Sequence, residues 1–279
     1  MSQITAAEVA RLREMTSVGM MDCKKALTEA KGDLSAAVDI LRKKGRATAA
    51  VKSVREAKEG SITQYIAPGG KLGVLVEVNS ESDFVARNEL FRAFCEEAAK
   101  RLAADANASL ETEREALVAK IRENIKIARY ARMEVNGNGL IAGYIHTGAK
   151  VGVLVEVGAG RSETAAKEEF KQLVKDITLQ IAAGHPHVVS REQVPANVVA
   201  KEKEIAAEQA KNKPPQAIAK IVEGKLEKFY QAYCLVDQGF VKRNSEVSLK
   251  EHAAQIAKQL GDEISIRRFV RFQVGESAA

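Results

Sequence analysis

Gly60-Ser61-Ile62-Thr63-Gln64-Tyr65-Ile66-Ala67-Pro68-Gly69-Gly70-Lys71-Leu72-Gly73-Val74-Leu75-Val76-Glu77-Val78 is matched 79 residues later by Gly139-Leu140-Ile141-Ala142-Gly143-Tyr144-Ile145-His146-Thr147-Gly148-Ala149-Lys150-Val151-Gly152-Val153-Leu154-Val155-Glu156-Val157, without a gap. Each stretch sets two strand-like runs around a glycine-rich turn, the pattern of a β-hairpin. A second match closes each copy. Arg129-Tyr130-Ala131-Arg132-Met133-Glu134-Val135 is similar to Arg268-Phe269-Val270-Arg271-Phe272-Gln273-Val274, 139 residues on. Both alternate charged and apolar side chains, as a half-buried strand does. Each unit therefore reads as hairpin, helices, third strand. The expected fold class is α+β: two duplicated units, each a three-stranded antiparallel sheet covered by helices, over 60–138 and 139–279.

The second unit is longer by about 60 residues, the difference of the two offsets. The insertion is expected at 196–233. Ala196 to Lys211 is a helix pattern, Asn212-Lys213-Pro214-Pro215 a turn, and Gln216 to Tyr233 a second helix. Ile218, Val222, Phe229 and Tyr233 form one stripe. This is an antiparallel helical hairpin, and its high charge argues for projection as a coiled coil.

Residues 1–45 read as three short helices. Thr5 and Glu8 form a capping box for the first. Thr16-Ser17-Val18-Gly19 breaks it, and a second helix follows through Met20 to Leu27. Gly32 ends the second, Asp33 caps the third, and Gly45 is expected to close the module. So few residues build a marginal core, which suits a docking module. Residues 46–59 read as a linker helix or tether.

Composition narrows the function. Aromatic residues make up 5% of the 279 and tryptophan is absent, which disfavours stacking platforms for single-stranded nucleic acid. The net charge of +6 comes from 43 basic against 37 acidic residues, interspersed in sign, with Arg42-Lys43-Lys44-Gly45-Arg46 the densest basic stretch. The reading is an ordinary solvated surface with a mild basic excess. Cys23, Cys95 and Cys234 are far apart and fit a reducing compartment. The opening residues lack the apolar stretch of a signal peptide, and no run is long enough to span a membrane. A cytoplasmic protein is expected.

No G-x-x-x-x-G-K-[ST] is present, so direct GTP binding is not expected. His185-Pro186-His187 is a weak metal pattern that fits a surface turn better. Cys23 beside Lys24 reads as a packing cysteine rather than a nucleophile. Neither a catalytic constellation, a cofactor nor a metal is called for.

The informative segment is Asn79-Ser80-Glu81-Ser82-Asp83-Phe84-Val85-Ala86-Arg87-Asn88, where the first hairpin ends and a helix begins. Ser82 or Asp83 can cap that helix. The matching stretch of the second unit, near Arg161-Ser162-Glu163-Thr164, lacks the Asp-Phe pair. The residues alone leave Phe84 two places, in the core with Phe91 and Phe94 or outside it.

Leu12-Arg13-Glu14-Met15-Thr16 followed by Gly19-Met20-Met21-Asp22-Cys23-Lys24-Lys25-Ala26-Leu27 resembles the amino-terminal signature of the elongation factor Ts family, with Ser17-Val18 where Gly-Ala is more common. Ser82-Asp83-Phe84-Val85 resembles that family's Thr-Asp-Phe-Val motif, with serine keeping the hydroxyl. The resemblance covers nearly the whole chain in the family's order. It implies a ubiquitin-associated-like fold for the front module, and binding to the GTPase elongation factor Tu. Arg13, Met20, Met21 and Lys24 are then docking residues on its nucleotide-binding domain, with one of the two methionines expected to pack inward. Ser82, Asp83, Phe84 and Val85 are then the site that disturbs its Mg²⁺, with Phe84 as a wedge. His146, at the second hairpin tip, is implied as a further contact. Whether the helical hairpin mediates dimerisation or touches the partner stays open. An RNA-binding protein using the basic strands at Arg129 to Arg132 and Arg267 to Arg271 is the rival reading, and an adaptor with other partners the next. An enzyme ranks last.

Overall fold

The structure is a computed structural model that describes residues 4–276. The front consists of α1 (Ala6–Thr16), α2 (Met20–Glu29) and α3 (Leu34–Lys52). Thr5 and Glu8 make the reciprocal capping box, and the Asp33 carboxylate accepts from the Ala36 N–H. Val9, Leu12, Cys23, Ala26, Leu27, Ala37 and Leu41 form a small core.

The expected stop at Gly45 is wrong. α3 runs through it to Lys52. Gly45 is buried, and a Cβ there would lie 3.3 Å from the Ala119 Cβ. The glycine lets α3 approach α6 (Glu111–Ile121) closely; it does not end the helix. Ala49, one turn further, enters the core of the first sheet. The expected linker helix or tether at 46–59 is helical to Lys52, with Ala49 in the core, and residues 53–58 beyond it are non-helical and mostly exposed.

That sheet is β1 (Glu59–Ile66), β2 (Leu72–Ser80) and β3 (Lys126–Glu134), antiparallel with β2 central. Between β2 and β3 lie the short α4 (Asp83–Ala86), α5 (Glu89–Ala104) and α6. The second sheet is β4 (Gly139–Ile145), β5 (Val151–Ala159) and β6 (Ile264–Gln273), with β5 central. Between β5 and β6 come α7 (Ser162–Ala166), α8 (Glu168–Gly184), the pair α9 (Ala196–Ala210) and α10 (Pro215–Tyr233), and α11 (Leu249–Leu260). Each sheet carries a register shift at the same point, Glu77/Val78 on β2 and Glu156/Val157 on β5.

The two central strands are buried on both faces. Val74, Val76 and Val78 face α5 and α6, while Val153, Val155 and Val157 face α8 and α11. The other faces meet each other. Ile62, Leu75, Met133, Ile141, Leu154 and Phe272 form one cluster drawn from both sheets. The layers run helix, sheet, sheet, helix, so helices cover only one face of each sheet. Gly73 and Gly152 set the spacing. A Cβ on Gly73 would fall 2.6 Å from the Ile141 Cγ2, and one on Gly152 2.5 Å from the Ile62 Cγ2. Edge hydrogen bonds repeat the symmetry: the Ile62 N–H donates to the Ala149 carbonyl at 2.8 Å, and the Ile141 N–H to the Gly70 carbonyl at 2.7 Å.

A charged device completes the seam. Glu77 and Glu156 are each 1% exposed. Glu77 accepts from Arg129 Nε at 2.7 Å and from the Gly275 N–H at 3.0 Å. Glu156 accepts from Arg268 Nε at 2.7 Å and from the Asn136 N–H at 3.0 Å. Each carboxylate thus grips its own third strand and the chain just past the third strand of the other unit. A buried charge is tolerated because its lone pairs are filled in this way.

Two outcomes follow for stability. Gly152→Ala forces Ile62, Ile145 and Leu75 to give way, and is expected to cost about 1–3 kcal/mol in denaturant unfolding. Burial alone would push the Glu156 carboxyl up, but the Asn136 N–H and Arg267 and Arg268 outweigh it and hold it below its ordinary 4.5. Its stabilisation is therefore present above the unfolded value and fades as pH falls through the lower folded value. Glu156→Gln is expected to cost ~3 kcal/mol near neutrality and to flatten the fall of Tm below pH 4.5. Melting curves between neutral and acid pH check both parts.

Candidate functional site

The corner after β2 is built by three local choices. Ser82 has extended backbone angles (φ −120°, ψ 157°) and starts α4. Of the two expected caps neither forms: Asp83 is the first helical residue and pairs with Arg87, and the Ser82 hydroxyl turns elsewhere. It donates to Glu123 Oε1 at 2.6 Å, while the Ser82 N–H donates to Glu123 Oε2 at 2.9 Å. Asn88 then caps α5, its side chain accepting from the Leu90 N–H at 2.8 Å. α4 is left with four residues.

Within that single turn, successive side chains point about 100° apart. Val85 and Ala86 go inward, each 8% exposed, and anchor the corner in the first core. Phe84 goes outward and is 78% exposed. The core places open to it are taken by Phe91 and Phe94, from α5. Asp83 is half-buried and pairs with Arg87 at 3.2 Å. Of the four corner residues, then, Phe84 and Asp83 present to the outside, Ser82 is tied back, and Val85 is an internal anchor not open to a partner.

The second unit contributes to the same neighbourhood. A cleft is lined by Asp83, Ala86 and Arg87 together with Gly148, Ala149 and Lys150 of the β4–β5 turn. His146 stands at the start of that turn, exposed, its Nδ1 3.0 Å from the Tyr144 hydroxyl. The sheet seam therefore brings the His146 turn against the Phe84 corner.

Arg13, Met20, Met21 and Lys24 are exposed on α1 and α2. The expectation that one methionine packs inward fails: Met20 is 53% and Met21 65% exposed. Met20 shares the helical azimuth of Cys23 and Leu27 but sits in the first turn of α2, where it overhangs the small core. These residues are carried by a different layer from Phe84. A loop links the two: Arg122 contacts Asp22 of α2, and the next residue is Glu123.

The basic third strands are spent internally. Arg129, Arg267 and Arg268 serve the buried glutamates, and Arg132 donates to the Ala103 carbonyl at 3.2 Å. The basic strands, one of the two features behind an RNA-binding reading, are thus engaged within the fold, while the basic excess of +6 stands. His187 stacks on Tyr233 at 4.4 Å, with His185 beside it, which gives the His-Pro-His segment a packing role. Among the described residues no group of three metal-ligating side chains converges. Cys23 is buried in the front core, and burial pushes the Cys95 thiol up to about 12.

Glu123 escaped the sequence reading, although a signal existed. Asp262 stands 139 residues on, the offset of the third strands, and accepts the Arg161 N–H at 2.9 Å at the matching corner.

Residues 81–276 match the profile of the family described as "Elongation factor TS". Relatives agree along the chain. Elongation factor Ts of Symbiobacterium thermophilum is 44% identical over 99% of this chain and 93% of its own length. Those of Clostridioides difficile and Nautilia profundicola are 44% and 43% identical, each over 99% of this chain and 94% of theirs.

The geometry separates two phenylalanines seven residues apart. Phe84→Ala is expected to change unfolding free energy by no more than about 0.5 kcal/mol, since little surface leaves the core. Phe91→Ala should cost about 3–5 kcal/mol. Urea unfolding of the two variants side by side checks the contrast.

Proposed function

The chain belongs to the elongation factor Ts family, a family of translation elongation factors, and from that premise we propose that it is the guanine-nucleotide exchange factor of the GTPase elongation factor Tu. It makes and breaks no covalent bond. The observation that carries this reading is the exposed Phe84, fixed at a corner whose neighbours Val85 and Ala86 are rooted in the core. An apolar ring held out on a rigid support is suited to entering a groove in another protein. Burying it there supplies about 1.5–3 kcal/mol, enough to displace an element of the partner.

Mg²⁺ is sensitive to such displacement, because it requires near-octahedral coordination at about 2.0–2.1 Å. Phe84 entering the GTPase beside its nucleotide site shifts the supports of the ion and loosens GDP. Asp83 lies beside the ring and supplies a polar contact of the same corner. The coupling is reciprocal: whatever the factor takes from nucleotide affinity, nucleotide takes from factor affinity. GTP then drives the factor off.

The remaining surfaces fit supporting roles. The front module of α1 to α3, with Arg13, Met20, Met21 and Lys24, serves as a ubiquitin-associated-like docking domain. Methionines adapt to a partner surface without a fixed shape. His146 adds a contact from the second unit. The two α+β units, 60–138 and 139–279, are read as copies of one ancestor, of which only the first kept the Asp-Phe pair. The α9–α10 hairpin is read as a projecting coiled coil, inserted at 196–233, for a second copy or for the partner. Activity in the cytoplasm follows from the role.

Release of a fluorescent GDP analogue from elongation factor Tu tests the proposal. The wild-type protein should accelerate release, and Phe84→Ala should reduce that acceleration about 10- to 100-fold, the equivalent of the lost burial. Equal acceleration by both proteins would move the mechanism away from Phe84. No acceleration by the wild type, with the GTPase from the same source, would overturn the exchange reading.

A further inference from the structure

α4 is too short to hold itself. Four residues make a single turn, which is unfavourable without outside support. Its orientation, and with it the direction of Phe84, depends on what grips its start. The grip is the loop 122–124 after α6. Glu123 takes both donors of Ser82, at 2.6 and 2.9 Å. The Asn124 N–H donates to Glu81 Oε1 at 2.6 Å, and the Asn124 side chain to the Arg55 carbonyl at 2.7 Å. Arg122 reaches Asp22, the neighbour of Met21 on α2. Three consecutive residues thus tie down the Phe84 corner, the loop after α3 and the exposed face of α2.

The bland explanation is that a carboxylate at this point merely closes the fold. The chain contains a comparison that bears on it. At the matching place in the second unit, Asp262 accepts from the Arg161 N–H at 2.9 Å and from the Glu263 N–H at 2.9 Å. That clamp holds α7, whose first turn carries Ser162-Glu163-Thr164 and no exposed aromatic. Both clamps support a corner; the clamp at Glu123 also has a ring to aim. The Glu123 clamp takes the Ser82 hydroxyl at 2.6 Å along with the backbone, a two-point hold that fixes rotation as well as position; Asp262 adds to its backbone hold a longer ion pair, 3.7 Å to Arg161 Nε.

We infer that Glu123 is the positioning residue of the exchange site, holding Ser82 at two points so that Phe84 is presented in a fixed direction, and that its neighbour Arg122 sets the same loop against the docking surface on α2. This rests on the exchange reading. Glu123 touches neither partner nor nucleotide; it acts through Ser82. It therefore governs how productive a bound complex is more than how readily the complex forms.

The experiment uses the full chain and four variants: Glu123→Ala, Ser82→Ala, Asp262→Asn, and Glu123→Ala combined with Phe84→Ala. Amide hydrogen exchange of the free protein and the dependence of GDP release on factor concentration are both read. Glu123→Ala should lose roughly tenfold protection at Ser82 and through α4. Its maximal release rate should fall about 5- to 10-fold, with the half-maximal concentration changed less than about twofold. Ser82→Ala, which keeps the backbone half of the clamp, should show the same pattern more weakly, and serves if Glu123→Ala does not fold. In the double variant Glu123→Ala should add nothing to Phe84→Ala, because a missing ring has no direction to lose. Asp262→Asn should lose protection at Arg161 and keep the wild-type maximal rate. The inference is overturned by unchanged protection at Ser82. It is equally overturned if Glu123→Ala slows the Phe84→Ala background as much as the wild type, or if Asp262→Asn lowers the maximal rate to the same degree. A wild-type protein that leaves GDP release unchanged removes the exchange reading alone, and the protection data still uphold or overturn the clamp.

Discussion

Two β-strands placed back to back organise this molecule. β2 and β5 each show valines to their own helices and a glycine, a leucine and a glutamate to the other sheet. The glycines permit the approach, the leucines fill the seam, and the glutamates close it. Because Glu77 and Glu156 each bind the chain beyond the third strand of the opposite unit, neither sheet can shift without uncovering a buried charge. An apolar contact alone would tolerate sliding; a charge with fixed donors does not. The seam fixes the relation between the Phe84 corner and the β4–β5 turn, so the candidate site inherits its geometry from the core.

The site itself is an edge and not a cavity. Its chemistry is apolar presentation, and its rigidity comes from behind: Val85 and Ala86 in the core, Glu123 on Ser82, Asp83 against Arg87. Exposing a phenyl ring forgoes burial energy in the free protein. That energy is recovered only where another surface covers the ring. The front module is joined to this frame by α3, which packs through Gly45 on α6 and sends Ala49 into the first core. The exposed face of α2 and the Phe84 corner are held by one continuous scaffold.

Features set by neighbours in sequence were the most legible. The Thr5–Glu8 box, the Asp33 cap, the glycine-rich hairpin turns and the strand alternation depend on contacts within a few residues, and each formed as the residues imply. Misreadings arose where a distant partner competes. Gly45 resembles a helix stop, yet Ala119 makes it a contact point. Ser82 has the right residue type and backbone for a cap, yet Glu123, 41 residues away, takes its hydroxyl. The near-continuous apolar runs Val74-Leu75-Val76 and Val153-Leu154-Val155, each followed by a single glutamate, are the signal of a strand buried on both faces. The expectation of sheets covered by helices passed over that signal of a sheet-on-sheet seam.

By itself the sequence determined the element types, the hairpin pairing, the class and the family signature, because these follow from local periodicity, turn chemistry and motif. It left the place of Phe84 undecided, since an aromatic at a strand–helix corner suits either side. Only the tertiary structure resolved it: Phe91 and Phe94 fill the core, Val85 anchors the turn, and the roughly 100° step between helical neighbours then puts Phe84 outside. The pairing of the two sheets and the clamp at Glu123 likewise belong to tertiary structure, because each joins residues far apart in the chain through space that no local pattern describes.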